Sequence, residues 1–382
     1  MAGTYIFYTL LMVGMILLAL PSVQTADGKQ SVLITSEPYQ YWGANLILLV
    51  ILYSFIIGCR YYVGIDYEAY LEWYLELQKT GVYPREIEFG YEWLNYLLYY
   101  LRAHYAFLFI ILAFLQILFF FKSLEKFSFL IPWYIFFFFT YLLMFSSMNI
   151  MRQTLAYFIF FYALNLAMQK KYLPALLYCF LGFSFHKSIL IAVALYPFLG
   201  FDWFKNKYVQ IALLLFVTAF ASQILALALQ IVTPIVSLLG YSYYVENLDY
   251  MYEITEEGAV GAGTARILFF ILDMAIVWYS DELKSNFKRV DFYKYYNIYF
   301  LGAFLDRIVY DNFILARTND YLLNFRVLIL SFLCYYLFGS ATDRIPKAIL
   351  GGAIAVMMLA FFYRAIYNSA AQTSPFNFIL FE

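Results

Sequence analysis

The sequence of 382 residues is 65% hydrophobic, 23% aromatic and only 13% charged, with a formal net charge of −1. A soluble chain carries about 25% charged residues, so an ordinary water-facing surface cannot be built from this one, and the near-neutral balance excludes a basic nucleic-acid binder. Three cysteines without metal-ligand spacing and only two histidines, His104 and His186, make a metal centre implausible, and no cofactor is expected.

A membrane-crossing helix needs about 20 apolar residues, and windows meeting that condition follow one another from residue 5 nearly to residue 365. They predict an all-α polytopic integral membrane protein with about twelve transmembrane helices, near 5–22, 43–59, 104–121, 129–146, 150–168, 172–184, 187–200, 208–230, 265–280, 295–310, 321–338 and 346–364. The first window ends in small and polar residues, as a cleaved leader would. No basic residue precedes it, so it is kept as a span. Between the second and third windows, residues 60–103 form a long loop. There Tyr67, Tyr70, Leu71, Tyr74 and Leu75 follow helical spacing beside Glu68, Glu72 and Glu76, which predicts an amphipathic helix on the membrane surface, ended by Gly81 and Pro84. Residues 91–101 predict a second such helix. The windows at 172–184 and 187–200 are short, as tilted or broken helices meeting near His186 would be. A second long loop, 231–264, carries Glu246, Asp249, Glu253, Glu256 and Glu257 before Gly258, Gly261 and Gly263, and has the makeup of a lid. No Pro-rich or Gly/Ser-rich linker divides the chain, so residues 1–382 are expected to form a single membrane domain.

Lysines set the orientation. Lys122, Lys126, Lys170, Lys171, Lys205, Lys207, Lys284, Lys288, Lys294 and Lys347 occupy alternate short loops, which the positive-inside bias places in the cytoplasm. Both termini then lie outside. Arginine departs from the bias, because Arg60, Arg85, Arg152, Arg266, Arg317 and Arg364 fall at or beyond outer span ends. A guanidinium is a permanently charged, planar donor fork suited to phosphate, so an anionic ligand on the outer face would explain the excess. Single arginines also pair with local carboxylates or snorkel to headgroups.

Candidate groups gather at four places on that side. Arg60 and Asp66 flank the start of the first loop, with Glu88 and Glu92 near its end. Asn149, Arg152 and Gln153 stand at i, i+3 and i+4, the spacing of one helix face. His186, Lys187 and Ser188 mark the junction of the short spans. Arg317 and Tyr321 are again four apart. A lone histidine in such a setting is more often a structural hydrogen-bonder than a base, whereas an arginine entering a span is costly unless it serves a site.

These residues fall in five ordered motifs: R-x-x-V-G-I-D-Y-x-x-Y (Arg60 to Tyr70), E-F-G-Y-E-W-L-N (Glu88 to Asn95), N-x-x-R-Q-x-x-A (Asn149 to Ala156), F-H-K-S (Phe185 to Ser188) and R-x-x-x-Y (Arg317 to Tyr321). In order and spacing the set resembles the EpsG/Wzy-type polysaccharide polymerases of bacterial envelopes. The resemblance implies a glycosyltransferase of the bacterial inner membrane, active on its periplasmic face. Such an enzyme joins repeat units carried on undecaprenyl diphosphate, with one lipid-linked oligosaccharide as donor and another as acceptor, and uses no nucleotide sugar. A chain-length regulator is a candidate further partner. On this reading Arg60, Arg152 and Arg317 hold the diphosphate, and Asp66, His186 or Glu92 accepts the hydroxyl proton. Asn149, Gln153, Lys187, Tyr67, Tyr70 and Tyr321 contact substrate. Two other functions fit parts of the pattern: a lipid-linked oligosaccharide flippase, and an outer-face glycosyltransferase using a polyprenyl monophosphate sugar, with Asp66 and Glu68 holding a divalent ion.

Overall fold

A computed structural model describes residues 2–24, 40–194, 196–238, 262–310, 312–339 and 343–379, and among these the chain is helical, with no strand. They divide into two compact units, Met1–Val193 with Ala348–Glu382, and Ala194–Lys347.

The first unit contains α1 (Ala2–Ala19), α2 (Ala44–Gly58), α3 (Tyr67–Thr80), α4 (Phe89–Tyr100), α5 (Ala106–Leu124), α6 (Ile131–Thr140), α7 (Leu143–Asn149), α8 (Met151–Met168), α9 (Tyr172–Phe185) and α10 (Ile189–Ala194). Its centre is α8, buried along nearly its whole length and packed against α5 and α9. A largely apolar helix buried on nearly every side belongs in an interior, and the polar groups on it and beside it are matched locally. Gln116 of α5 donates to Ser147 O and Met151 O, and Asn165 donates to Ser123 O. Where α2 crosses α5, a Cβ on Gly58 would stand 2.4 Å from Ile110 Cα, so only glycine permits that approach.

Both helices expected in the 60–103 loop are present. Along α3 the buried face is Tyr67, Tyr70, Leu71, Tyr74 and Leu77, while Leu75, assigned to the stripe from spacing, is exposed. Tyr67 stacks on Phe109 of α5 with ring centroids 4.6 Å apart, so this apolar face packs on protein and not on lipid. Gly81 ends α3 at φ 74°, its N–H returning to Leu77 O, the left-handed cap that glycine supplies without strain. α4 is apolar on two sides: Tyr91, Leu94 and Leu98 are buried, whereas Phe89, Trp93, Leu97 and Tyr100 are exposed.

The C-terminal segment ties down the start of the loop. Tyr61 N–H donates to Asn377 O, Gly64 N–H to Gln372 O and Ile65 N–H to Ala371 O, and Ile379 N–H returns to Cys59 O. The segment is in turn held to α1, where Tyr8 Oη donates to Thr373 O at 2.7 Å and Phe7 stacks on Phe376.

Among the described residues, four helical stretches are long and apolar enough to cross a membrane: Ala2–Ser22, Ala106–Thr140, Leu315–Gly339 and Arg344–Tyr367. The bent pairs Lys207–Ala219 with Ala221–Ala228 (79°) and Gly263–Trp278 with Ser280–Asn286 (54°) raise the number to six if each is one span. The twelve sequence windows map differently for physical reasons. Those at 104–121 and 129–146 join into the single 35-residue stretch Ala106–Thr140. The window at 150–168 is α8, which is buried along nearly its whole length and is not among the stretches that qualify by length and composition. The windows at 172–184 and 187–200 do break around His186, into α9 and the short α10.

The second unit contains α11 (Lys207–Ala219), α12 (Ala221–Leu238), α13 (Ala262–Trp278), α14 (Ser280–Asn286), α15 (Phe292–Val309), α16 (Phe313–Leu323) and α17 (Phe325–Gly339), after which α18 (Arg344–Tyr367) begins. Of the expected lid at 231–264, residues 239–261 lie outside the described residues, as do 25–39 between α1 and α2. The unit is organised around Asp273 of α13. Arg326 of α17 grips its carboxylate with both Nε and Nη2 at 2.9 Å, Arg307 of α15 approaches at 3.3 Å, and Tyr299 Oη donates to it at 2.8 Å. Asp306 balances the second arginine, 3.0 Å from Arg307 Nη2. Two anions thus neutralise two cations inside an apolar bundle, across three helices. Asp273→Asn removes one anion and leaves a buried excess positive charge, a change that costs on the order of 3–5 kcal/mol. Thermal unfolding followed by size-exclusion in detergent should show a loss of folded protein, and an unaltered profile would contradict this assignment of the network.

Candidate functional site

The first loop begins with Arg60, and its guanidinium is enclosed. It donates through Nε to Val63 O, through Nη1 to Ile57 O and through Nη2 to Met148 O, and Nη2 also lies 3.0 Å from Met151 Sδ. The rings of Phe109 and Tyr67 cover it, with centroids 4.9 and 5.6 Å from its Cζ. Only 1% of Arg60 is exposed, so it ties the loop to α2 and α7 and offers no fork to a ligand in this conformation. Tyr67 is likewise a packing ring.

Four residues on, Gly64 adopts φ 106°, which only glycine takes freely, and a Cβ there would be 3.0 Å from Asn149 Oδ1. Asn149 donates to Phe145 O and accepts from the backbone N–H of Asp66 at 3.4 Å. Asn149 therefore positions Asp66 at the start of α3. The Asp66 carboxylate is half-buried and, among the described residues, has no hydrogen-bond or ion-pair partner.

The expectation that Asn149, Arg152 and Gln153 share one helix face needs correction. The helix breaks at Ile150 (φ −76°, ψ 54°), so Asn149 closes α7 while Arg152 and Gln153 open α8. Gln153 is buried. Arg152 is turned the other way, with 17% of its side chain accessible, and stands in the first turn of α8. A helix N-terminus carries a partial positive charge, so a cation is disfavoured there unless an anion accompanies it. Glu88 is that anion. Arg152 Nη1 contacts Glu88 Oε2, and Glu88 Oε1 accepts the backbone N–H of Lys187 at 3.3 Å. Arg152 Nε also donates to Tyr70 Oη at 3.4 Å, and its Cζ lies 5.4 Å from the centroid of the Tyr91 ring.

Four of the five motifs therefore converge within the first unit. Glu88 immediately precedes α4, Arg152 begins α8, and His186 and Lys187 follow α9. His186 Nδ1 is 2.6 Å from Ser188 Oγ, and its extended backbone (φ −157°) turns the chain out of α9. Lys187 is exposed. Glu92, half-buried on the first turn of α4, has a carboxylate with no hydrogen-bond or ion-pair partner among the described residues. Burial pushes the hydroxyls of Tyr67 and Tyr91 above their ordinary range, so they stay protonated at neutral pH. Asp66, Glu92 and His186 are left as candidate acceptors of a proton. Arg317 and Tyr321 belong to the second unit, on α16, where Tyr321 is wholly buried.

Spacing alone assigned Arg152 and Glu88 to separate clusters and did not pair them. Both lie in recognisable motifs, but 64 residues separate them. Asp273, Arg307 and Arg326 were also missed. Ionisable residues inside apolar windows are the signal that marks them.

The model of the EpsG family matches residues 44–378, which is most of the chain. No curated protein and no solved structure matches it.

Arg60→Lys keeps the charge but cannot reach the set of backbone carbonyls that the guanidinium bridges. Hydrogen bonds from a charged donor are worth about 1.5–3 kcal/mol each, so this variant should melt several degrees below the wild type. Arg152→Lys, at a half-open position with one carboxylate partner, should melt close to it. Equal destabilisation of both would make Arg152 a structural group like Arg60.

Proposed function

The chain belongs to the EpsG family of Wzy-type polysaccharide polymerases, and on that footing we propose that it joins lipid-linked oligosaccharide repeat units at the periplasmic face of the bacterial inner membrane. The observation that carries the reading is the meeting of Arg152, Glu88 and the backbone N–H of Lys187 at one half-open place, with His186 next in the chain and Asp66 held by Asn149.

The donor is a glycan on undecaprenyl diphosphate and the acceptor is a sugar hydroxyl of a second lipid-linked unit. The acceptor oxygen bonds to the donor's anomeric carbon as the bond from that carbon to the diphosphate oxygen breaks. The bonding pair leaves with the diphosphate, and the hydroxyl proton passes to a protein group. Negative charge grows on the leaving oxygen, where fixed donors stabilise a transition state best. Arg152 and the Lys187 N–H are such donors, held by Glu88 until a phosphate takes its place. Arg152 is the diphosphate residue of this reading, with Lys187 beside it. Arg60 acts through Asp66's loop, and Arg317 and Tyr321 are assigned to substrate from their motif alone.

Asp66 is the first choice for the proton acceptor, because its carboxylate is accessible and unengaged and its backbone is fixed. His186 is the alternative, since a neutral imidazole nitrogen can accept a proton, and Glu92 is the third candidate. Tyr70, in contact with Arg152, contributes by orienting the guanidinium.

Purified protein incubated with a lipid-linked repeat unit, without nucleotide sugar, should yield a ladder of longer lipid-linked products. Of Asp66→Asn and His186→Gln, the variant lacking the base should lose turnover on the order of 100-fold or more while still binding the substrate. No ladder from the wild type would contradict the polymerase reading. A normal ladder from Asp66→Asn would remove Asp66 as the base.

A further inference from the structure

Between α4 and the last turns of α9 lies an open groove of about 670 Å³, within the range of roughly 300–1,000 Å³ typical of ligand sites. Its walls are Phe89, Trp93, Tyr96, Leu181 and Phe185. Its floor is the contact of Gly90 with Ser184, where a Cβ on Gly90 would come within 2.3 Å of Ser184 Oγ and 2.8 Å of Ser184 O. The flanks face outward and are apolar: Trp93 is 66% exposed and Phe180 60%, and Phe89 packs against Phe180 at 5.7 Å. An exposed apolar surface of this kind suits a hydrocarbon chain.

One end of the groove is not apolar. Glu88 directly precedes Phe89, and His186 directly follows Phe185. The contacts of Glu88 with Arg152 and with the Lys187 N–H close that end. The apolar walls thus run toward the Arg152 guanidinium and the backbone N–H of Lys187, both held by the Glu88 carboxylate. Glu92 is the groove's one charged wall residue, so the walls offer a phosphate no cation, whereas Arg152 offers one where Glu88 gives way to the phosphate. A phosphorylated head therefore belongs at the Arg152 end, with carbon chain along the aromatic walls.

We infer that this groove seats the isoprenoid chain of the polyprenyl carrier, delivering its phosphorylated end to Arg152 and Lys187. The inference rests on the polymerase reading for its ligand class and adds the place where the lipid lies.

The test uses the full chain in nanodiscs of phosphatidylethanolamine and phosphatidylglycerol containing radiolabelled undecaprenyl phosphate. A photoreactive benzoylphenylalanine replaces either Trp93 in the groove or Leu10, which is 65% exposed on α1. Labelling at position 93 should exceed that at position 10 by about tenfold or more and should fall when excess unlabelled undecaprenyl phosphate is added. Equal labelling would show a surface covered by bulk lipid and overturn the inference. Leu181→Trp, which fills the groove from a half-exposed position, should raise KM for a substrate on the full-length carrier at least fivefold. It should leave kcat unchanged, and a substrate on a ten-carbon tail should be unaffected. An equal loss on both substrates would also overturn the lipid seat. Selective labelling by a wild type that makes no polymer would sink the polymerase reading alone, whereas polymer formation with equal labelling would sink the lipid seat alone.

Discussion

A guanidinium among aromatic rings at the start of a helix is disfavoured twice, by lost hydration and by the positive end of the helix dipole. The contact between Arg152 and Glu88 offsets both, and the arrangement of the site follows from it. Glu88 sits just ahead of α4, so the contact joins that helix to α8. Its other oxygen takes the N–H of Lys187 and joins both to the turn after α9. Tyr70 and Tyr91 pack around the same guanidinium. Three segments far apart in sequence are drawn together by one carboxylate.

The arginines of this protein are accommodated in different ways, and the difference separates scaffold from chemistry. Arg60 is spent on backbone carbonyls and roofed by two rings. Arg307 and Arg326 are neutralised inside their own unit by Asp273 and Asp306. Each of these side chains is almost wholly enclosed. Arg152 alone of the four keeps part of its side chain accessible, with the Glu88 carboxylate as its ion-pair partner. Charge inside this apolar fold is thus matched locally, almost wholly enclosed at three of these arginines and partly accessible at the fourth.

Much of this was legible in the sequence. Composition set the membrane class, and the Tyr67–Leu71–Tyr74 spacing with Gly81 placed α3. The ordered motifs pointed to the family that the match over residues 44–378 bears out. Span number was less legible: the windows suggested about twelve, and four to six stretches among the described residues are long and apolar enough to cross a membrane. Side-chain roles were less legible still. Arg60 and Arg152 read alike as outer arginines, and only their partners distinguish them, through contacts 88 and 64 residues away in the chain. The i, i+4 logic that grouped Asn149 with Gln153 assumed an unbroken helix, and the kink at Ile150 undoes it. The binding of residues 59–65 by the C-terminal segment has no sequence signature, since it runs through backbone groups.

The central claim is that Arg152 is the phosphate ligand of this site, and the affinity of purified protein for undecaprenyl diphosphate in detergent tests it most directly. Lysine in place of Arg152 keeps the charge but loses the planar fork. The account predicts that Arg152→Lys binds at least about tenfold more weakly than the wild type, roughly 1.4 kcal/mol, while its melting profile stays close to normal. Unchanged affinity in a well-folded Arg152→Lys protein would contradict it.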